Sequence, residues 1–202
     1  MPRIEENARN EDYWHSIAER YDVAAGPVNL ENGYFGRMTR GVAQDYQRNI
    51  DFINRKNSVH VRPQFDGPQN IEIHHQLAGL LGVEDASIAL TRCASDALQS
   101  LIRNYNALQP GDQLLISDLE YPSVESAMRW VARQRGLEII EIIHEHPASH
   151  DSLVASYREV LARHPRIKLM ALTHVTHLTG LVMPVQAIVD AANAHGVDVV
   201  LD

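Results

Sequence analysis

The chain has 202 residues, enough for one sizeable core with an additional arm. Apolar residues make up 45% of it and charged residues 22%, the balance of an ordinary globular protein. A formal net charge of -8 argues against a general nucleic-acid or anionic-membrane binder, which needs a basic face. No segment reaches the ~18 apolar residues of a spanning helix. The acidic start "MPRIEENARNEDYW" is no secretory signal, so the expected location is cytoplasmic. A single cysteine, Cys93, excludes an internal disulfide and a multi-cysteine metal site. Of the 18 basic residues only Lys56 and Lys168 are lysines, which restricts any chemistry that needs an amine.

The first part of the chain has a weak pattern. Helices are predicted around residues 10–20, 40–56 and 69–81, with the extended, polar "VNLENGYFGRM" between the first two. The reading divides the chain into an arm with helices over 1–66 and a larger domain over 67–202. From residue 86 strands and amphipathic helices alternate. "ASIALT" reads as a strand, and Leu98, Leu101, Ile102 and Tyr105 then recur at helical spacing. "QLLIS" is the next strand, and "SVESAMRWVARQRG" a helix that stops at Gly136. "LEIIEII", a helix through Leu153, Tyr157, Val160 and Leu161, and the strand "RIKLMALTHV" follow. Pro184 opens a last helix, and "VDVVLD" reads as a strand ending in Asp202. This alternation predicts an α/β fold, a mostly parallel sheet covered by helices on both faces.

Ligands of such sheets sit beyond the carboxyl ends of the strands, so the polar residues there carry the functional reading. In "LTRCASDAL" the backbone N–H groups of Ala94 to Asp96 would be free at a helix start, an anion site to which Ser95 adds a hydroxyl. Taken alone, Ser95 reads more readily as a simple helix cap. Tyr121 in "LEYPSV" could lie against a planar ligand or cover the sheet edge. "THVTHLTG" concentrates two histidines and three threonines on one loop, without the acidic or cysteine partners of a metal site. His144 and His146 in "HEH" read as a solvated edge. Asp202 could cap a helix or pair with a cationic ring nitrogen. A phosphate anchor, a flat aromatic, a hydrogen-bonding loop and a carboxylate together describe a pyridoxal-phosphate site, with no metal.

At these positions the sequence resembles the class V aminotransferase family of fold-type I pyridoxal-phosphate (PLP) enzymes, most closely its isopenicillin-N-epimerase-like branch, with cysteine desulfurases more distant. "VNLENGYFGRM" is similar to the family's "LNNGSFG", "LTRCASDAL" to "TTRNATEAL", "THVTHLTGLVMPV" to "HVSNxTGxxxPV", and "AHGVDVVLD" to the stretch leading into "VDGAHA". The resemblance implies a PLP-dependent transferase large domain of the aspartate-aminotransferase type. It implies that Ala94 and Ser95 hold the cofactor phosphate, that Tyr121 stacks on its ring, and that Asp202 pairs with the pyridine nitrogen. His177 stands where most relatives carry an asparagine that reaches the phenolic oxygen. Asn32, Gly33 and Tyr34 fall in the segment implied to meet the substrate. The implied activity is epimerase, aminotransferase or lyase chemistry on an amino acid through an alpha-carbanion, in a homodimer. Desulfuration would also need a mobile cysteine, and Cys93 lies in the phosphate loop. Because the family's Schiff-base lysine follows "GAHA", the sequence is expected to be the front part of such an enzyme, inactive alone. The alternative is a non-catalytic homologue with a binding or regulatory role.

Overall fold

The computed structural model describes residues 8–33 and 35–202. Contacts divide the chain into two units, one ending at Ala89 and one spanning Leu90–Asp202. In the first unit, α1 (Glu11–Ala18), α2 (Arg40–Lys56) and α3 (Asn70–Leu81) form where the periodicity predicts them. Asn10 and Thr39 cap α1 and α2 by accepting hydrogen bonds from the amides of Tyr13 and Val42. Helix α3 stops at Gly82, whose φ of 70° is costly for any residue with a Cβ. The apolar side of α2, Val42, Tyr46, Ile50 and Ile53, is exposed, and among the described residues of this unit Ala78 is the buried hydrophobic one. The predicted strand "ASIALT" does not form. Ile88 is extended after a 3-10 turn, but no described strand lies beside the segment to complete a ladder.

The second unit is a three-layer α/β structure. Its strands β1 (Gln113–Ser117), β2 (Glu138–Ile142), β3 (Ile167–Leu172) and β4 (Asp198–Leu201) are all parallel, in the order β2-β1-β3-β4. Helix α4 (Ala94–Asn104) precedes β1. Helices α5 (Pro122–Arg135), α6 (His150–Arg163) and α7 (Val185–Ala194) make the crossovers. Successive residues of a strand face opposite sides, and the core divides accordingly. Leu114, Ile116, Leu169 and Ala171 pack with Leu98, Ile102, Val124, Met128 and Val131 of α4 and α5. Leu115, Met170 and Leu172 pack on the other face with Leu153, Tyr157, Leu161 and Ile188 of α6 and α7.

Strand order accounts for this division. The chain steps outward from β1 to β2, then crosses back past β1 to β3 and continues to β4. Parallel crossovers are right-handed, so reversing direction along the sheet moves the connecting helix to the other face. Helix α5 therefore covers one side, and α6 and α7 the other. A consequence follows at the carboxyl edge. The connections leaving β1 and β3, which are neighbours, depart in opposite directions and leave a crevice between them.

Leu101 and Ile102 test the packing of α4. Ile102 is fully buried and Leu101 is 60% exposed. Ile102→Ala should destabilise the folded chain by about 2–4 kcal/mol, combining lost burial with a cavity. Leu101→Ala should cost under about 1 kcal/mol. Urea denaturation of both variants measures the difference.

Candidate functional site

Four segments meet at the carboxyl edge of β1 and β3. Its β1 side carries Tyr121, the N-cap of α5, with its backbone carbonyl accepting from the amides of Val124 and Glu125. Pro122 occupies the first position of the helix, where its lack of an N–H is harmless and its fixed φ favours the turn. Tyr121 makes no side-chain capping bond.

The β3 side is "THVTHLTG", and most of its hydrogen-bonding groups serve its own turn. Val175 pairs with Val182 in an antiparallel bridge. The amide of Thr176 donates to the carbonyl of Leu181 (3.0 Å), and that of Gly180 to Thr176 (2.9 Å). Thr176 is buried, and its Oγ1 lies 2.6 Å from Oγ1 of Thr179. Gly180 closes the turn at a φ of 68°, a left-handed conformation that suits glycine. His177 is thereby held at the tip of a braced hairpin. Its ring meets that of Tyr121 edge to face, with centroids 4.9 Å apart and planes at 71°.

Asp202 closes the third side. Its amide donates to the carbonyl of Leu172 (2.9 Å), and its own carbonyl accepts from the amide of His174 (2.7 Å). The ladder between β3 and β4 thus continues through Asp202, and the residue is exposed at the rim. On the fourth side is the start of α4. Its N-cap is Cys93, not Ser95, and Cys93 makes no side-chain capping bond. Ala94 and Ser95 are the first two residues of the helix, which removes the reading of Ser95 as an N-cap. By contrast, α6 begins with a complete capping box between Ser149 and Ser152. The hydroxyl of Ser95 lies 3.4 Å from that of Ser123, in the first turn of α5. Gln99 Nε2 donates to the Ser123 carbonyl (2.9 Å), tying the two helix starts together. A phosphate fits this arrangement, with uncapped amides at one helix start and a hydroxyl beside them.

Beneath the rim is a polar cluster that sequence reasoning missed. Glu120 is 5% exposed. Its Oε1 accepts from Ser117 Oγ (2.8 Å) and its Oε2 from Thr173 Oγ1 (2.6 Å). Burial pushes the Glu120 carboxyl above its ordinary range, while the hydroxyls donated by Thr173 and Ser117 pull the other way. The signal in the sequence was positional only: an acidic residue between Leu119, which is buried, and Tyr121. His144 corrects an expectation. It is buried at the end of β2, not solvated, with its ring 5.5 Å from that of Tyr157. Burial lowers its pKa against the opposing charge of Asp118. His146 is exposed, as expected.

Among the described residues no group of three His, Cys, Asp or Glu side chains is placed to hold a metal, and no helix is long and apolar enough to cross a membrane. Lys168 is the second residue of β3, about 16 Å of strand from Thr173 at the opposite end. Lys56 ends α2. Asn32 and Gly33 lie exposed in a loop of the first unit, where Asn32 Nδ2 donates to the Asn29 carbonyl (3.4 Å). Tyr34 lies outside the described residues.

The fold is that of PLP-dependent enzymes of the aspartate-aminotransferase type. It superposes with a TM-score of 0.76 on a C-DES mutant with glycine covalently linked to its PLP cofactor, at 18% identity, covering 91% of this chain and 48% of that one. Against the cysteine desulfurase of Escherichia coli the TM-score is 0.73 at 20% identity, covering 93% and 48%. The class V aminotransferase family model matches residues 47–202, and the chain belongs to that family. A probable cysteine desulfurase of Vibrio cholerae is 32% identical over 142 residues, 69% of this chain and 33% of that protein. The isopenicillin N epimerase of Amycolatopsis lactamdurans is 26% identical over 199 residues, 94% of this chain and 47% of that protein. The chain thus spans half or less of the length of these relatives.

The raised pKa of Glu120 sets a pH dependence. The folded state holds the Glu120 proton more tightly than the unfolded state, whose carboxyl titrates near 4.5. That contribution to stability is complete below the unfolded pKa and is lost as pH rises through the folded one. Glu120→Gln removes the titration. The stability of the unmodified chain relative to this variant should therefore fall as pH rises from about 4 to 7. Urea midpoints measured across that range check the sign.

Proposed function

We propose that the crevice between β1 and β3 binds pyridoxal phosphate and that the chain serves an enzyme acting on an amino-acid substrate. The observation that carries this reading is the Tyr121–His177 pair. Two rings from separate loops meet 4.9 Å apart across the switch point of the sheet, beside the uncapped start of α4. Family membership supports the choice of ligand. Bound there, the cofactor supplies an electron sink for negative charge at the substrate's alpha carbon.

The chain's own residues divide the binding task. The amides at the start of α4 and the Ser95 hydroxyl hold the phosphate. Tyr121 supports one face of the ring. His177 offers an imidazole N–H toward the phenolic oxygen. Asp202 pairs with the ring nitrogen and keeps it protonated, which makes the ring draw electrons. Lys168 stands at the opposite end of β3, so these residues bind and polarise the cofactor without an amine from that strand. Cys93 is fixed at the N-cap of the phosphate-binding helix. A mobile sulfur carrier needs a freer position, so Cys93 itself is not read as one.

Two measurements test the reading. Ser95→Ala should weaken PLP binding by about 1 kcal/mol, the scale of one hydrogen bond to a charged group. An unchanged dissociation constant would remove Ser95 from the phosphate site. Borohydride reduction of the PLP-saturated chain should leave no stoichiometric cofactor on Lys56 or Lys168. Stoichiometric attachment at either, with turnover of an amino acid, would show that the chain carries its own amine.

A further inference from the structure

We propose that Glu120 is a positioning residue: its buried carboxyl clamps the Tyr121 turn to the β3 loop and so fixes the aromatic ring against the ring-nitrogen carboxylate. The inference rests on the reading of this crevice as a PLP site. Its geometry is independent of that reading.

Glu120 lies immediately before Tyr121, and its two oxygens bond in two directions. Oε1 takes the Ser117 hydroxyl at the end of its own strand, while the Glu120 amide donates to the Ser117 carbonyl (3.3 Å). Oε2 takes the hydroxyl of Thr173, the residue that follows β3. Thr173 is followed by His174, whose amide donates to the Asp202 carbonyl and whose carbonyl accepts from the amide of Met183 (2.8 Å). A continuous path of bonds therefore runs from Tyr121 through Glu120, Thr173 and His174 to Asp202, and from His174 to the base of the His177 hairpin. The β1 and β3 ladder ends before this point, with Leu115 opposite Met170 as the last paired residues. Beyond it the two connections diverge, and main-chain bonds no longer hold them together. The carboxyl bridges that gap.

Carboxyl burial is costly, and a pure packing role would be better filled by an apolar side chain. Glutamine keeps the length and two polar ends, and the Ser117 and Thr173 hydroxyls can each donate or accept to match it. Alanine removes both connections. These two variants separate positioning from bulk stability.

The first readout needs no cofactor. In the purified chain, Glu120→Ala should speed amide hydrogen exchange in residues 118–124 and 173–180 on the order of tenfold, with core amides of α5 and α6 unchanged. Glu120→Gln should stay within about threefold of the unmodified chain. A uniform rise across the core, or no rise in either loop, would overturn the clamp. The second readout is PLP affinity in a double-mutant cycle with Tyr121→Ala. Glu120→Ala should weaken binding about tenfold when Tyr121 is present and less than about twofold when it is absent, because its effect passes through that ring. Equal weakening in both backgrounds would overturn the inference while leaving the PLP site standing. If the unmodified chain binds no PLP, the functional reading falls, and the exchange measurement alone decides whether Glu120 holds the loops.

Discussion

Right-handed crossovers oblige a parallel sheet to change faces when the chain reverses direction, and this chain reverses once, between β2 and β3. The two-sided core follows from that reversal, since α5 must cover one face and α6 and α7 the other. So does the crevice, because the loops leaving β1 and β3 part at the point of reversal. Tyr121 and His177 owe their encounter to it. They are 56 residues apart in the sequence, and no local preference brings them together.

A crevice made by diverging loops has a physical cost at its floor. Backbone groups that would have extended the ladder must find partners elsewhere or stay solvated. Here side chains take over part of that task. Ser117, Glu120 and Thr173 bond one another where the β1–β3 ladder stops, and the Thr176–Gly180 turn satisfies itself. Nearby, His144 Nε2 is buried without a hydrogen-bond partner among the described residues, and the Tyr157 hydroxyl is buried close to Ser117. Burial drives the Tyr157 hydroxyl far above its ordinary pKa and keeps it neutral. The polar layer under the rim is thus held in uncharged or hydrogen-bonded forms, the condition under which polar groups tolerate a low-dielectric interior. Asp202 and Ala94 at the start of α4 lie exposed at the surface of the rim.

The helices and strands of residues 94–202 were legible in the sequence because most of them bury a face. The 3.6-residue spacing of Leu98, Ile102 and Tyr105, and the continuous apolar runs of "QLLIS" and "KLMAL", leave few alternative elements for those segments. Gly136 and Pro184 marked boundaries through backbone geometry that is purely local. The positions of Ala94, Ser95, Tyr121, His177 and Asp202 in the fold were legible for a related reason. Each follows or begins a predictable element at the edge where such sheets bind ligands.

What the tertiary structure decided is everything that depends on neighbours distant in sequence. "ASIALT" has the composition of a strand but gains no ladder without a partner beside it. Ser95 looks like a cap until the helix is seen to begin at Ala94, with its hydroxyl beside Ser123. His144 has a polar sequence context, yet folding of α6 over β2 places Tyr157 against it and excludes water. Glu120 carries no mark that distinguishes it from a solvated loop carboxylate. Its burial and its bond to Thr173, 53 residues away, arise only when β1 and β3 are set side by side. Sequence alone determined most of the elements and pointed to the carboxyl edge of the sheet, because periodicity and turn chemistry act within a few residues. Which side chains meet in the crevice was settled by strand order and crossover hand, which no local pattern encodes.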